Sequence, residues 1–150
     1  MKIICDTREQ RVLRFKHKQI SSVIKKKLDF GDYACQFEDG HIVPIYFERK
    51  SLGDLYGTLG KGYTRFKKEI IRAQKADAQL ILIVEVSLTE VKKGIKHSRR
   101  KPGSLVAQVF TLFVKHGIMP VFCSSRKEMA EYITQFYIAC GKQYLAKKKC

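Results

Sequence analysis

Three side chains in this sequence are of the kind that hydrolyses a phosphate ester: Asp32 in Phe30-Gly31-Asp32-Tyr33, and Glu48 and Lys50 in Phe47-Glu48-Arg49-Lys50. The second stretch closes an apolar run, Ile42-Val43-Pro44-Ile45-Tyr46-Phe47, with the composition of a strand inside a sheet. Such a strand has no packing reason to end in a carboxylate, a guanidinium and an amine. Residues two apart on a strand share a face, so Glu48 and Lys50 point one way and Arg49 the other. A carboxylate there suits a hard divalent cation, which takes one or two carboxylates and completes its shell with water and phosphate. The amine beside it could orient or help deprotonate an attacking water. Asp32 supplies a second acid, and Gly31 leaves room for a phosphate or a backbone to approach closely.

These groups need a hairpin to bring them together. Glu38-Asp39-Gly40-His41 separates strands expected over 28–37 and 42–50, and Asp-Gly between apolar runs is a strong hairpin signal. A two-residue Asp39-Gly40 turn would set Asp32 opposite Phe47 and leave Glu48 on the wrong face. A shared ion therefore requires a three-residue loop or a bulge. Pro44, which cannot donate to a ladder, marks the natural place for irregularity.

The rest of the chain reads as a frame around that hairpin. A short buried strand covers 2–5 and stops at Asp6-Thr7-Arg8-Glu9, and 10–27 reads as a basic loop plus a short helix. Ser51 caps a helix over 52–59, which Gly60 and Gly62 interrupt before a longer helix over 63–76. Residues 79–86 form a continuous apolar run, as in a strand covered on both sides. A basic loop follows over 91–103, then a helix ending at Gly117, a strand over 118–123 and a last helix over 125–145. That helix carries Met129, Tyr132, Ile133, Phe136, Tyr137 and Cys140 on one broad face. Strands first and then β-α-β-α give an α/β fold, a central mixed sheet of about five strands with helices on both faces. The 150 residues read as a single domain with a basic tail from about 146, Lys147-Lys148-Lys149.

Thirty Lys and Arg against fourteen Asp and Glu leave a net charge of +16, which points to a polyanionic partner. The five cysteines are odd in number and widely spaced, with no C-x-x-C, and the four histidines fall at no ligand spacing. A zinc module and a secreted disulfide scaffold are both disfavoured, and Cys5, Cys35 and Cys123 read as core fillers. The apolar start is too short for a signal peptide and no segment is long enough to span a membrane. The expected protein is soluble and intracellular, in cytoplasm or nucleoid, or in the nucleus if the source is eukaryotic.

The combination Gly31-Asp32, Glu48-Arg49-Lys50-x-x-x-Asp54 and the opening Asp6-Thr7-Arg8-Glu9 resembles the G-D…E-R-K-x-x-x-D signature of XPF-family structure-specific endonucleases, whose nuclease domain belongs to the PD-(D/E)XK superfamily. The resemblance spans nearly the whole domain and is strongest over 3–76. It implies Asp32 and Glu48 as principal ligands of Mg²⁺ or Mn²⁺, with Asp54 and Asp6 as additional acids. Lys50 would orient water or stabilise charge on phosphate, while Arg8, Glu9 and Arg49 would hold the constellation and contact phosphate. It further implies branched, flapped or forked DNA as substrate and a homodimer through the nuclease domain. Family members usually add tandem helix-hairpin-helix motifs, and often a helicase, neither of which is present, so a stand-alone nuclease domain is expected.

Plainer readings stand beside these. Glu48-Arg49-Lys50 could be a solvated strand end with one ion pair, Asp6 to Glu9 a turn cap, and Gly31 only a bulge. Lys92, Lys93, Lys96, Arg99, Arg100 and Lys101 form either a solvated charge run or an arm along phosphates. Tyr63, Arg65, Lys67 and Lys68 are either an exposed helix face or DNA contacts near a helix start. Besides the nuclease, two functions compete: a catalytically inactive XPF-like module that positions DNA for a partner, and a basic RNA-binding protein, for which no RNP-type aromatic motif speaks.

Overall fold

A computed structural model of the chain describes residues 1–148; Lys149 of the expected tail lies outside them. Eleven elements follow in order: β1 (Lys2–Cys5), β2 (Ser22–Lys25), β3 (Tyr33–Gln36), β4 (Ile45–Lys50), α1 (Leu52–Leu59), α2 (Tyr63–Lys75), β5 (Gln79–Val84), α3 (Leu88–Val91), α4 (Pro102–His116), β6 (Met119–Phe122) and α5 (Arg126–Lys148). The six strands form one mixed sheet, in order β2-β1-β3-β4-β5-β6. β1 runs antiparallel to β3 and β3 to β4, while β1–β2, β4–β5 and β5–β6 are parallel.

The apolar run in β5 serves two cores by alternation. Leu80, Leu82 and Val84 pack with Leu55, Leu59, Phe66, Ile70, Leu105 and Val109 from α1, α2 and α4. Ile81 and Ile83 pack on the other face with Phe47, Tyr33, Met129, Ile133 and Tyr137, which places α5 there. Each fully buried side chain of this kind contributes roughly 1.5–3 kcal/mol, so a strand apolar on both sides holds both layers. Among the described residues no helix is long and apolar enough to cross a membrane.

The sheet has one strand more than expected, because residues 22–25 form β2 where a helix was expected. Val23 and Ile24 are β-branched and suit a pleated surface, and the pairing of Ile3 with Val23 and Ile4 with Ile24 decides the matter. Lys25, Lys26 and Lys27 guard the sheet edge that β2 presents. The strand expected over 28–37 is shorter, since Gly31 at φ +63° turns the chain before β3 begins. Cys5, Cys35 and Cys123 are buried free thiols.

The hairpin contains both of the irregularities of which the site was expected to need one. Phe37 N donates to His41 O (2.8 Å) around a three-residue loop ending in Gly40 at φ +88°. Beyond it Gln36 bridges Ile42, but Tyr33 pairs with Phe47, so three steps on one arm match five on the other. The excess of two falls around Pro44. The broken ladder leaves backbone carbonyls without strand partners, and the buried Tyr137 hydroxyl of α5 donates to Ile45 O (2.8 Å) and lies 3.3 Å from Tyr33 O. A buried carbonyl stripped of its donor costs about 1–3 kcal/mol. Tyr137→Phe should therefore lower the free energy of unfolding by about that amount, and chemical denaturation of the two proteins side by side checks it.

Candidate active site

Asp32 follows the left-handed Gly31, where an added Cβ would sit 3.0 Å from Phe47 O and 3.2 Å from Tyr46 Cβ. Only glycine permits that approach, and it brings Asp32 against β4: Asp32 N donates to Phe47 O (2.7 Å) and Arg49 N donates to Asp32 Oδ2 (2.8 Å). Continuing the Tyr33–Phe47 pairing by one residue sets Asp32 beside Glu48. Tyr33 and Phe47 share the α5-side core, so the two acids share the opposite face. Glu48 pairs with Leu82 and Lys50 with Val84, both of the core under α1, α2 and α4.

Burial and mutual repulsion govern these groups. Glu48 is 6% exposed. Its burial, then the Asp32 charge, push its carboxyl up to about 7 against the opposing pull of Lys50. Burial pushes Asp32 up to about 6, against the Arg49 amide and the Lys50 charge. Burial pulls the Lys50 ammonium down, but contact with Glu48 and the nearby Asp32 and Glu69 outweigh it and its pKa is raised. Lys50 therefore stays protonated, a fixed positive charge against Glu48 and near Asp32 rather than a proton acceptor.

The remaining residues divide into those at the cleft and those that hold it. A cavity of about 600 Å³ is lined by Arg8, Glu9, Asp32, Arg49, Lys50, Asp54 and Glu85, among others. Arg49 forms a strap on the other face, donating to Glu9 (3.1 and 3.2 Å) and to Glu85, and so ties the β1–β2 connection to the end of β5. Arg8 reaches Asp6 through Nε (2.6 Å) while its side chain stays 67% exposed at the cleft.

Two of the expected acids have other partners. Asp6 is wholly buried and accepts from Arg8 N, Arg8 Nε and Leu28 N, which stitches the end of β1 to the chain entering the hairpin. Asp54 is exposed in the first turn of α1, where Ser51 Oγ donates to Asp54 Oδ2 and accepts from Asp54 N, a reciprocal cap. Among the described residues no three of His, Cys, Asp and Glu converge as a ready metal cage. The convergent acids are the pair Asp32 and Glu48.

Of the expected DNA contacts, Arg65, Lys67 and Lys68 are exposed on α2, with Tyr63 half-buried and the Lys67 ammonium 5.9 Å from its ring centre. Lys92, Lys93, Lys96, Arg99 and Lys101 are exposed on the α3–α4 connection. Arg100 departs from them. It turns inward, donating to Leu59 O (2.9 Å), Ser104 O (3.1 Å) and Gln108, and clamps the end of α1 to α4. Sequence reasoning missed Glu69, which accepts from Gly31 N (3.1 Å) and adds negative charge near Asp32, Glu48 and Lys50. Its signal was present: it is the one carboxylate on α2, among Arg65, Lys67, Lys68, Arg72 and Lys75.

The ERCC4-domain family model matches residues 5–136. The chain is similar to XPF from Aeropyrum pernix at 24% identity and a TM-score of 0.67, over 89% of this chain and 63% of that one. It is similar to XPF from Aeropyrum pernix in complex with DNA at 23% identity and a TM-score of 0.67, over 95% of this chain and 66% of that one. It thus spans just under two thirds of either structure, and at these identities the likeness establishes the fold. No curated protein matches the chain.

Both carboxyls hold their protons more tightly in the fold than at their ordinary values of 3.8 and 4.5. Between about pH 5 and pH 7, above the titration of the carboxyls that the fold holds low (Asp6, Glu38, Asp39 and Glu128), these two sites bind more protons in the native state than in the unfolded one, so stability falls as pH rises. In divalent-free buffer the melting temperature should decline across that range. Asp32→Asn should flatten the decline, and melts at half-unit pH steps check it.

Proposed function

Because the chain belongs to the ERCC4-domain family, we propose that it is a metal-dependent DNA endonuclease that hydrolyses phosphodiester bonds in branched, flapped or forked DNA. The observation that carries this reading is the pair Asp32 and Glu48, a half-buried and a buried carboxyl on one face with raised proton affinity, with the protonated Lys50 in contact with Glu48. Such a pair fits Mg²⁺ or Mn²⁺, because a hard dication offsets the burial and repulsion that drive proton uptake, and water with phosphate oxygens completes its shell. The ion supplies polarisation of the phosphoryl oxygen and a lowered pKa for bound water. Lys50 holds positive charge where negative charge grows on the phosphate. Arg8, exposed at the cleft, binds a flanking phosphate, and Arg49 keeps Glu9 and Glu85 in place behind the reacting groups. The net charge of +16 draws the polyanion in. A nuclease for branched DNA belongs where DNA is repaired or recombined.

The alternative is an inactive module that positions DNA for a partner, and the engagement of Asp6 and Asp54 with the chain itself favours it. The two part on metal and on cleavage. With Mn²⁺ at neutral pH the protein should bind the ion by calorimetry and cut flap or fork DNA. Asp32→Ala should lose both, and Lys50→Ala should keep DNA affinity but slow cleavage by about 10²–10³-fold. DNA binding without metal binding or cleavage across duplex, flap, fork and four-way substrates would leave the inactive module.

For the expected homodimer α5 offers little apolar surface, because it packs Met129, Ile133 and Tyr137 into the core and exposes Leu145 alone among its large apolar side chains. The apolar surface lies instead on α4, where Phe110, Phe113 and Val114 are 44%, 51% and 81% exposed, next to the edge strand β6 with Met119 exposed. A second copy meeting this stripe about a two-fold axis buries it against itself. Sedimentation equilibrium should show a dimer, and Phe113→Asp should return it to monomer with the fold intact.

A further inference from the structure

A second cavity, larger than the catalytic cleft, lies beside it. It is a groove of about 880 Å³ between the β1–β2 connection and the first turns of α5. Five cations line it: Arg11, Arg14 and Lys16 from the connection, Arg126 and Lys127 from α5. They face a single carboxylate, Glu131. Its floor is apolar, with Val12 and the buried Ala130. The groove is held open by a built contact, because Arg126 Nη2 donates to Arg11 O (2.5 Å) and Val12 O (3.2 Å) and so latches the connection onto the helix. Gln10 and Arg11 line both this groove and the catalytic cleft, so the two adjoin at these residues.

We infer that this groove binds the sugar–phosphate backbone of the DNA arm that leaves the catalytic cleft on the α5 side. The inference rests on the proposed action on DNA, not on the cut itself. Cations spaced along a channel and joined to the acids by Arg11 suit a chain of phosphates. A small anion would need only one or two of them. No aromatic side chain lines the groove, so bases have nothing to stack on, unlike single-strand channels that grip by stacking. The contact is therefore with the backbone and indifferent to sequence.

The groove also gives a reason for the sequence 8–18, which holds Arg8, Arg11, Arg14, Lys16 and Lys18 within eleven residues. The catalytic reading used only Arg8. Arg11, Arg14 and Lys16 line the groove beside α5, which gives the bound arm a direction.

The test uses the full chain carrying Arg14→Glu, Lys16→Glu and Lys127→Glu together, with Lys75→Glu, Lys115→Glu and Lys142→Glu as a control of equal charge. A milder triple, with glutamine at the same groove positions, guards against misfolding, and thermal melts report the fold of each. Fluorescence anisotropy in EDTA measures binding to a flap DNA across a salt series. Loss of at least about tenfold in affinity, with the salt slope reduced by about 2–3, is expected for the groove variants and not for the control. The loss should be the same for flap DNAs of unrelated sequence. Equal losses in groove and control variants, or an unchanged salt slope, would overturn the groove. Because no step in this measurement involves cleavage, a protein that cuts nothing would refute the nuclease while leaving the groove standing.

Discussion

Two carboxylates sit side by side in a buried corner of the sheet with one ammonium to balance them, and the design of the rest of the molecule follows from that imbalance. Removed from water, like charges repel at close range and each carboxyl takes up a proton more readily. Asp32 and Glu48 show this, and Lys50 responds in the opposite sense by keeping its proton. Across the sheet Arg49 lies between Glu9 and Glu85. Both faces thus combine two acids with one cation. The first is the shorter of positive charge, because Glu69 adds a further negative charge there.

An acidic hollow within a chain of net charge +16 separates two electrostatic tasks. The surface attracts a polyanion over distances of about a Debye length, roughly 10 Å in ordinary salt. The hollow repels that same polyanion at contact, and in the proposed reaction a dication removes the repulsion. Binding and chemistry would then depend on different charges, which is why Lys50 and the surface cations fall into separate groups.

The hairpin converts these charges into a site. Its three-residue loop decides which side of the sheet Asp32 faces, since one residue more or fewer would exchange every side chain between faces. The two-residue excess around Pro44 then slides Asp32 along β4 to Glu48 without altering that choice. Gly31 allows the acid to approach the β4 backbone, and Tyr137 supplies a donor where the ladder is broken. Four distant features, Gly31, Gly40, Pro44 and Tyr137, serve one alignment.

Much of this was legible in the residues themselves. The apolar run ending in Glu48-Arg49-Lys50, the Asp-Gly turn and the need for an irregular hairpin are local patterns, and local sterics produce them wherever they occur. Family membership is local in the same sense, carried by short motifs at set spacings. What the chain alone could not show was what each acid touches. Asp6 and Asp54 look equivalent to Asp32 in composition, yet one is enclosed by two backbone amides and the Arg8 guanidinium and the other, exposed, is paired with the Ser51 that caps its helix. β2 reads as helix until β1 lies beside it, Arg100 reads as a surface cation until α1 and α4 close around it, and Glu69 joins the site only when α2 packs onto the sheet. Residue type and spacing depend on neighbours within a few positions, and those the sequence determined. Charge balance, burial and the partners of each carboxylate depend on groups dozens of residues away, and only packing in three dimensions decides which of them meet.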